Sequence, residues 1–227
     1  KYGGNTTCFE ISCGGRRVII DAGTGIRLLG KKIMIEEKNL LDADLFFTHT
    51  HMDHIQGLPF FAPLYNPSSN VRLHAGHLAG DKYDLHGIIG TMLMKDPVFP
   101  VPSALIEKAC SFKDYNCGHV FSLEGGIVIK TGQLNHPNGA CGYRIEFEGK
   151  VIAICTDTEH FEGRVDDNVV NQVLIDKFNA LKGEDILIDG YPRSLKQAEF
   201  LGKLIHEEKS KIVFNFNVEK NVLKERI

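Results

Sequence analysis

No stretch of about 18 consecutive apolar residues, the least that a membrane-crossing helix needs, occurs in this chain, and no charged-then-apolar leader opens it. Membrane spans and secretion are therefore not expected, and the cytoplasm is the expected compartment. Charge of one sign is lacking too. The 26 basic and 29 acidic residues give a formal charge of −3, which leaves no electrostatic footprint for nucleic acid or a membrane surface. Cys-x-x-Cys spacing is absent. The six cysteines (Cys8, Cys13, Cys110, Cys117, Cys141 and Cys155) are scattered, and free thiols in a reducing compartment are the expectation over a disulfide framework. A Gly-x-x-x-x-Gly-Lys-(Ser/Thr) loop is missing as well, so nothing cradles a nucleoside triphosphate. What remains is a chain of 227 residues with 43% hydrophobic content, enough for one large core or two small ones.

Against that background one stretch is dense in metal-ligand chemistry. Thr48-His49-Thr50-His51-Met52-Asp53-His54 follows the apolar run Asp44-Leu45-Phe46-Phe47. In extended backbone, residues two apart share a face, so His49 and His51 point together, while Asp53 and His54 follow in the turn and are placed to face a second ion. Imidazole nitrogen and carboxylate oxygen are the usual donors to zinc, and a hydrolytic zinc keeps one position open for water. Four such residues at this spacing rarely serve packing alone.

His49-Thr50-His51-Met52-Asp53-His54 resembles the His-x-His-x-Asp-His signature of the metallo-β-lactamase fold hydrolases. Tyr2-Gly3-Gly4-Asn5-Thr6-Thr7-Cys8, Asp21-Ala22-Gly23-Thr24-Gly25, Leu58-Pro59-Phe60-Phe61, Leu134-Asn135-His136-Pro137 and Thr156-Asp157-Thr158-Glu159 extend the likeness over about residues 1–168, toward a ribonuclease Z-like and cyclic-phosphodiesterase-like branch. The resemblance implies an α/β, four-layer αββα sandwich whose N-terminal leading strand lies before Tyr2. It implies that His49, His51 and His136 hold one zinc, that Asp53 and His54 hold another, and that Asp157 bridges the two. It places Asp21 behind the ligands as a brace for one imidazole. Manganese and iron are alternatives to zinc. A bridging hydroxide would be the nucleophile, with Asp53 able to orient it or take its proton. A small-molecule or nucleotide phosphodiester is the implied substrate, ahead of thioesters and lactams.

Local patterns place the remaining elements. Thr7 to Ser12 and Arg17 to Asp21 read as a hairpin across Gly14-Gly15, and Ile26 to Glu37 reads as a helix. The segment from Ile55 meets Pro59 and Pro63 and should be a short or kinked helix. Val71 to His74 reads as a strand, and residues 76–102 read as helical until prolines break them. His74, His77 and His86 in that region are read as core or surface histidines rather than ligands. Gly118 to Phe121 and Gly126 to Thr131 read as strands leading to His136, and Tyr143 to Phe147 with Val151 to Cys155 as a hairpin.

Beyond Asn168 the pattern changes. Asp189-Gly190-Tyr191-Pro192-Arg193 with Gln197-Ala198 resembles the monophosphate segment of adenylate kinases, where the residues matching Arg193 and Gln197 hold a nucleoside monophosphate. Residues 169–227 are therefore expected to replace the closing βαβ unit of the fold with an adenylate-kinase-like one, packed as part of the same body. Asn215 and Asn217 stand near the place where the family presents a last histidine, so the second metal should bind more weakly than the first. Two rival readings follow, a catalytically impaired metal-binding remnant and a monophosphate-binding module.

Overall fold

A computed structural model describes residues 4–36, 40–78, 80–158 and 195–204. Its first sheet has the order β1-β2-β3-β4-β5, from Phe9–Cys13, Arg16–Ile20, Asp42–Phe47, Asn70–Ala75 and Cys110–Asp114. The β1–β2 hairpin is antiparallel, and β2 through β5 run parallel. Cys13 pairs with Arg16, which leaves a two-residue turn in which Gly14 and Gly15 take φ of 55° and 72°. Such a turn needs positive φ at both positions, and the glycine pair supplies it.

The second sheet is an antiparallel meander, β6 (Val120–Leu123), β7 (Ile127–Leu134), β8 (Ala140–Phe147) and β9 (Lys150–Ile154). Period-two alternation divides the apolar residues of the first sheet between two cores. Val18, Ile20 and Phe46 face the second sheet and pack with Phe121, Ile127, Ile129, Tyr143, Ile145 and Ile154. Ile19, Leu45, Phe47, Val71 and Leu73 face the other way. They are covered by α1 (Ile26–Glu36), whose buried positions Ile26, Leu29, Gly30 and Ile33 follow the i, i+3, i+4, i+7 helical stripe. Each fully buried aliphatic or aromatic side chain contributes about 1.5–3 kcal/mol, so two such cores can carry the cost of a polar site at their edge.

The described residues thus form three layers, helix, sheet and sheet. The expected closing unit at 169–227 lies outside the described residues except for 195–204, and the strand expected before Tyr2 lies outside them too. Within that unit, Leu195–Leu204 (α4) is a helix. Two local expectations change. Strand β5 has no counterpart in the sequence reading, because Cys-Ser-Phe-Lys-Asp at a sheet edge buries only Cys110 and Phe112, and those only in part. The Ile55 helix begins earlier, as α2 (Met52–Ile55), and gives way to short 3-10 turns at Leu58–Phe60 and Ala62–Tyr65 with Pro59 and Pro63 in their first turns. The insert carries α3 (Leu85–Ile88), with Asp84 capping Gly87 N–H, before the prolines intervene. No helix among the described residues is long and apolar enough to cross a membrane.

At the start of β3, Asp44 is buried between the sheets and accepts from Arg16 at 2.9 Å, Arg72 Nε at 2.7 Å and His74 at 3.0 Å. Burial alone would raise this carboxyl, but the hydrogen bonds of His74, Arg72 and Arg16 outweigh it and hold Asp44 well below the usual carboxylate range. A carboxyl depressed in the folded state stabilises the fold above its unfolded pKa, about 3.9, and loses that contribution as pH falls through the folded value. Folding stability is therefore expected to drop below about pH 4. Asp44→Asn should cost about 1–3 kcal/mol at neutral pH, because three donors lose their charged acceptor while Arg72 keeps Asp42 and Arg16 keeps Glu124, and should flatten the acid limb. Urea unfolding at pH 7 and at pH 3 measures both effects. Equal wild-type and variant stability at pH 7 would contradict this account.

Candidate metal centre

Parallel strands β2, β3 and β4 end at the same edge of the sheet, where loops carry polar side chains. Strand β3 stops at Phe47, the chain bends at Thr48, and His51 is extended, with φ −63° and ψ 153°, before α2 begins. That stretch brings His49 Nε2 within 2.9 Å of His51 Nδ1. Asp53 and His54 lie in helix α2 rather than in a loose turn, with Asp53 more than half exposed and His54 buried. The helix is laced to the loop after β2, since Ala22 N–H donates to His54 O at 2.7 Å and Gly57 N–H to Ala22 O at 2.8 Å. A Cβ on Gly57 would overlap the Gly23 carbonyl, and one on Gly23 would overlap the Asp53 carbonyl. These two glycines allow the loops to close on each other. Thr6 and Thr24 tie the N-terminal segment to the same loop through reciprocal 2.8 Å bonds from backbone N–H to hydroxyl.

Asp21 ends the β2 run at φ 63°, a left-handed conformation that Asp tolerates better than most residues, and it is fully buried. Its Oδ1 accepts from Thr48 N–H at 2.7 Å, and its Oδ2 accepts from the Thr48 hydroxyl and from His54 Nδ1, both at 2.8 Å. The hydroxyl proton of Thr48 is thereby committed to Asp21, so its oxygen accepts from His49 Nδ1 at 3.1 Å. Both imidazoles consequently carry hydrogen on Nδ1 and turn Nε2 lone pairs toward the cleft. Burial pushes the Asp21 carboxyl up against the pull of these donors, and His54 is raised as well. For His54, burial acts downward and is outweighed by the hydrogen bond and charge of Asp21, with Asp53 and Asp157 adding to it. Three donors converge on Asp21, which places the shared proton on His54.

His136 lies in the five-residue connection between β7 and β8, closed by Gly139 N–H donating to His136 O at 2.9 Å with Asn138 and Gly139 at positive φ. Its Nε2 is 3.0 Å from His51 Nδ1. Asp157 follows the end of β9, and its Oδ2 stands 3.6 Å from His54 Nε2, 3.8 Å from His136 Nε2 and 3.9 Å from His49 Nε2. Asp53 Oδ2 is 3.5 Å from His54 Nε2. The donors form two overlapping sets, His49 with His51 and His136, and His49 with His54 and Asp157. The arrangement fits a cation better than it fits a hydrogen-bond network. His51 Nδ1 faces two imidazole nitrogens, and the single hydrogen it can carry serves only one of them. Burial, reinforced by the neighbouring His54, His51 and His136, pushes His49 down to about 2, so its ring stays neutral and able to donate electrons.

The other histidines divide by surroundings. His74 stacks on Phe46 with ring centroids 4.3 Å apart and holds Asp44, and exposed His86 pairs with Glu107 at 3.1 Å. His77 differs from both. It follows β4, and its Nε2 lies 3.0 Å from the hydroxyl of Thr50, between two of the donor histidines. Burial pushes His77 down to about 4. Sequence reasoning missed Thr48 and His77. A histidine two residues past a parallel strand end was the only signal for His77, and a threonine next to a ligand motif carries none. Arg193 lies outside the described residues, and Gln197 is described only as part of the α4 backbone.

The sequence model of a β-lactamase superfamily domain matches residues 16–176. A ribonuclease Z from Clostridium acetobutylicum is 31% identical over 147 residues, 64% of this chain and 45% of that protein, so the chain spans less than half the length of that curated relative. Among solved structures, a diphosphatase of the PhnP family aligns with a TM-score of 0.54 at 17% identity over 88% of this chain and 69% of that one. Unliganded yeast PDE1 aligns with a TM-score of 0.54 at 12% identity over 90% and 80%. At these identities the structural matches establish the fold.

Proposed function

The chain belongs to the β-lactamase superfamily domain family, and from that premise we propose that it is a metal-dependent hydrolase of phosphodiesters. The observation that carries the reading is the convergence of His49 Nε2, His51 Nδ1 and His136 Nε2 beside the Asp157 carboxylate. His49, His51 and His136 would hold the first ion, zinc by the donor chemistry, and Asp53 and His54 a second, with Asp157 between them. A bound divalent ion supplies an acidified water, with a pKa of about 7 for zinc, and positive charge for the leaving oxygen. The protein's own part is to fix the donors. Asp21 and Thr48 set the tautomers of His54 and His49, and Asp53, more than half exposed beside His54, is placed to take a proton from water or pass one to a leaving group. A phosphodiester is preferred because the relative at 31% identity is a ribonuclease. With a formal charge of −3 the chain suits a small or nucleotide substrate better than a long polyanion.

Zinc loading followed by dialysis should leave one tightly held ion per chain, a second binding only at higher concentration, and the loaded protein should hydrolyse bis(p-nitrophenyl) phosphate. Protein that retains no metal overturns the metal site. Protein that holds metal without turnover of phosphodiesters overturns the hydrolase reading in favour of a metal-binding remnant. The proposed closing unit at 169–227, with Arg193 and Gln197 on a nucleoside monophosphate, rests on sequence resemblance alone. Calorimetric titration with AMP tests it, and absence of heat at millimolar ligand dismisses it.

A further inference from the structure

His77 belongs to none of the donor sets, yet it stands where two donor-bearing loops meet. On one side its Nε2 bonds the Thr50 hydroxyl at 3.0 Å, and Thr50 is the single residue separating His49 from His51. On the other side lies the β7–β8 connection that carries His136. There Gly139, which has no side chain, passes near the His77 carbonyl and Cβ rather than the imidazole.

We propose that His77 is a positioning residue for the metal centre, a strut whose hydrogen bond fixes Thr50 and so sets the spacing of His49 and His51 against His136. The inference rests on the reading of those three histidines as a metal-holding set and adds a residue to it. Its physical basis is the steep distance dependence of coordination. The donor nitrogens lie about 3 Å apart, and tetrahedral zinc requires each about 2.0–2.1 Å from the ion, so a loop shift of a few tenths of an ångström separates a tight site from a loose one. Residues that orient ligands in this way typically cost 10–100-fold in affinity when removed. His77 acts through Thr50 and need not touch the ion.

The test measures zinc affinity by competition with a chromophoric chelator, with the melting temperature of the metal-free protein recorded alongside. His77→Ala should weaken binding by about 10–100-fold. His77→Gln, whose amide reaches the position of Nε2, should restore most of it, and Thr50→Val, which removes the same hydrogen bond from the other partner, should match His77→Ala. The double variant should lose no more than either single one, because both remove one interaction. Should His77→Ala fail to fold, Thr50→Val and His77→Gln carry the comparison. The proposal is overturned if His77→Ala or Thr50→Val binds zinc as tightly as the wild type, if His77→Gln is as weak as His77→Ala, or if the two losses add. A wild-type chain that binds no zinc overturns instead the reading of the metal site on which the proposal stands.

Discussion

Replacing His51 with alanine is expected to abolish both tight metal binding and hydrolysis while leaving the fold intact. His51 is the central donor of its set, with Nδ1 2.9 Å from His49 Nε2 and 3.0 Å from His136 Nε2. Zinc held by four protein ligands binds with about 10–16 kcal/mol, so losing one donor forfeits on the order of 3 kcal/mol, roughly two orders of magnitude in affinity. Catalysis suffers further, because two remaining imidazoles no longer hold an ion in one geometry. The fold survives because the half-buried His51 stands at the start of α2 without a side-chain capping bond and belongs to neither hydrophobic core. Zinc content, phosphodiester turnover and the melting temperature of the metal-free protein give the three readouts. Substitution of exposed His86, which pairs with Glu107 and sets its ring edge to face against Phe112 away from the donor cluster, serves as the control and should change none of them. Unchanged zinc content in His51→Ala would remove His51 from the site.

Much of this centre was legible in the sequence because its parts are local. A dense His and Asp run after an apolar strand needs only the period of extended backbone to be read, and the hairpin at Gly14-Gly15 and the helix from Ile26 follow from turn chemistry and helical spacing. What escaped the reading depends on distant chain segments. Strand β5 is polar by sequence and becomes a strand only because β4 offers it a parallel edge. His77 acquires a role through a hydrogen bond to Thr50, 27 residues away, that no periodicity encodes. The order of side chains in α2 shows the same limit, because Asp53 and His54 look like turn residues until Ala22 and Gly57 hold the helix in place. The family resemblance put Asp21 behind the ligand motif but not the bonds it makes, since the identity of its partners depends on Thr48 lying between two imidazoles.

That arrangement yields the second large expected effect. Asp21→Asn should preserve the fold and still weaken metal binding by about a hundredfold or more, because it reverses two tautomers at once. Asparagine has nearly the same shape and tolerates the φ of 63°, so the backbone cost is small. The Thr48 N–H fixes which way the amide lies, since it must donate to an oxygen at the Oδ1 position. The amide nitrogen then occupies the place of Oδ2, where it faces Thr48 Oγ1 and His54 Nδ1 as a donor instead of an acceptor. His54 answers by accepting on Nδ1 and moving its hydrogen to Nε2, which points it into the cleft. The Thr48 hydroxyl, no longer committed to Asp21, turns its proton toward His49 Nδ1, and His49 moves its hydrogen to Nε2 in the same way. Two of the four nitrogens offered to the metal would then present N–H groups, and binding would have to force both rings back against their partners. Alanine at the same position behaves differently. It leaves a cavity, strains the backbone and strands the buried Thr48 and His54 donors, so it should destabilise the fold by about 3–5 kcal/mol. Nitrogen-15 chemical shifts of the imidazoles in the metal-free Asn variant report the tautomers directly, and chelator competition reports the affinity. Nδ1-protonated rings in Asp21→Asn, or zinc affinity within about threefold of the wild type, would show that something other than the Asp21–Thr48 relay orients His49 and His54.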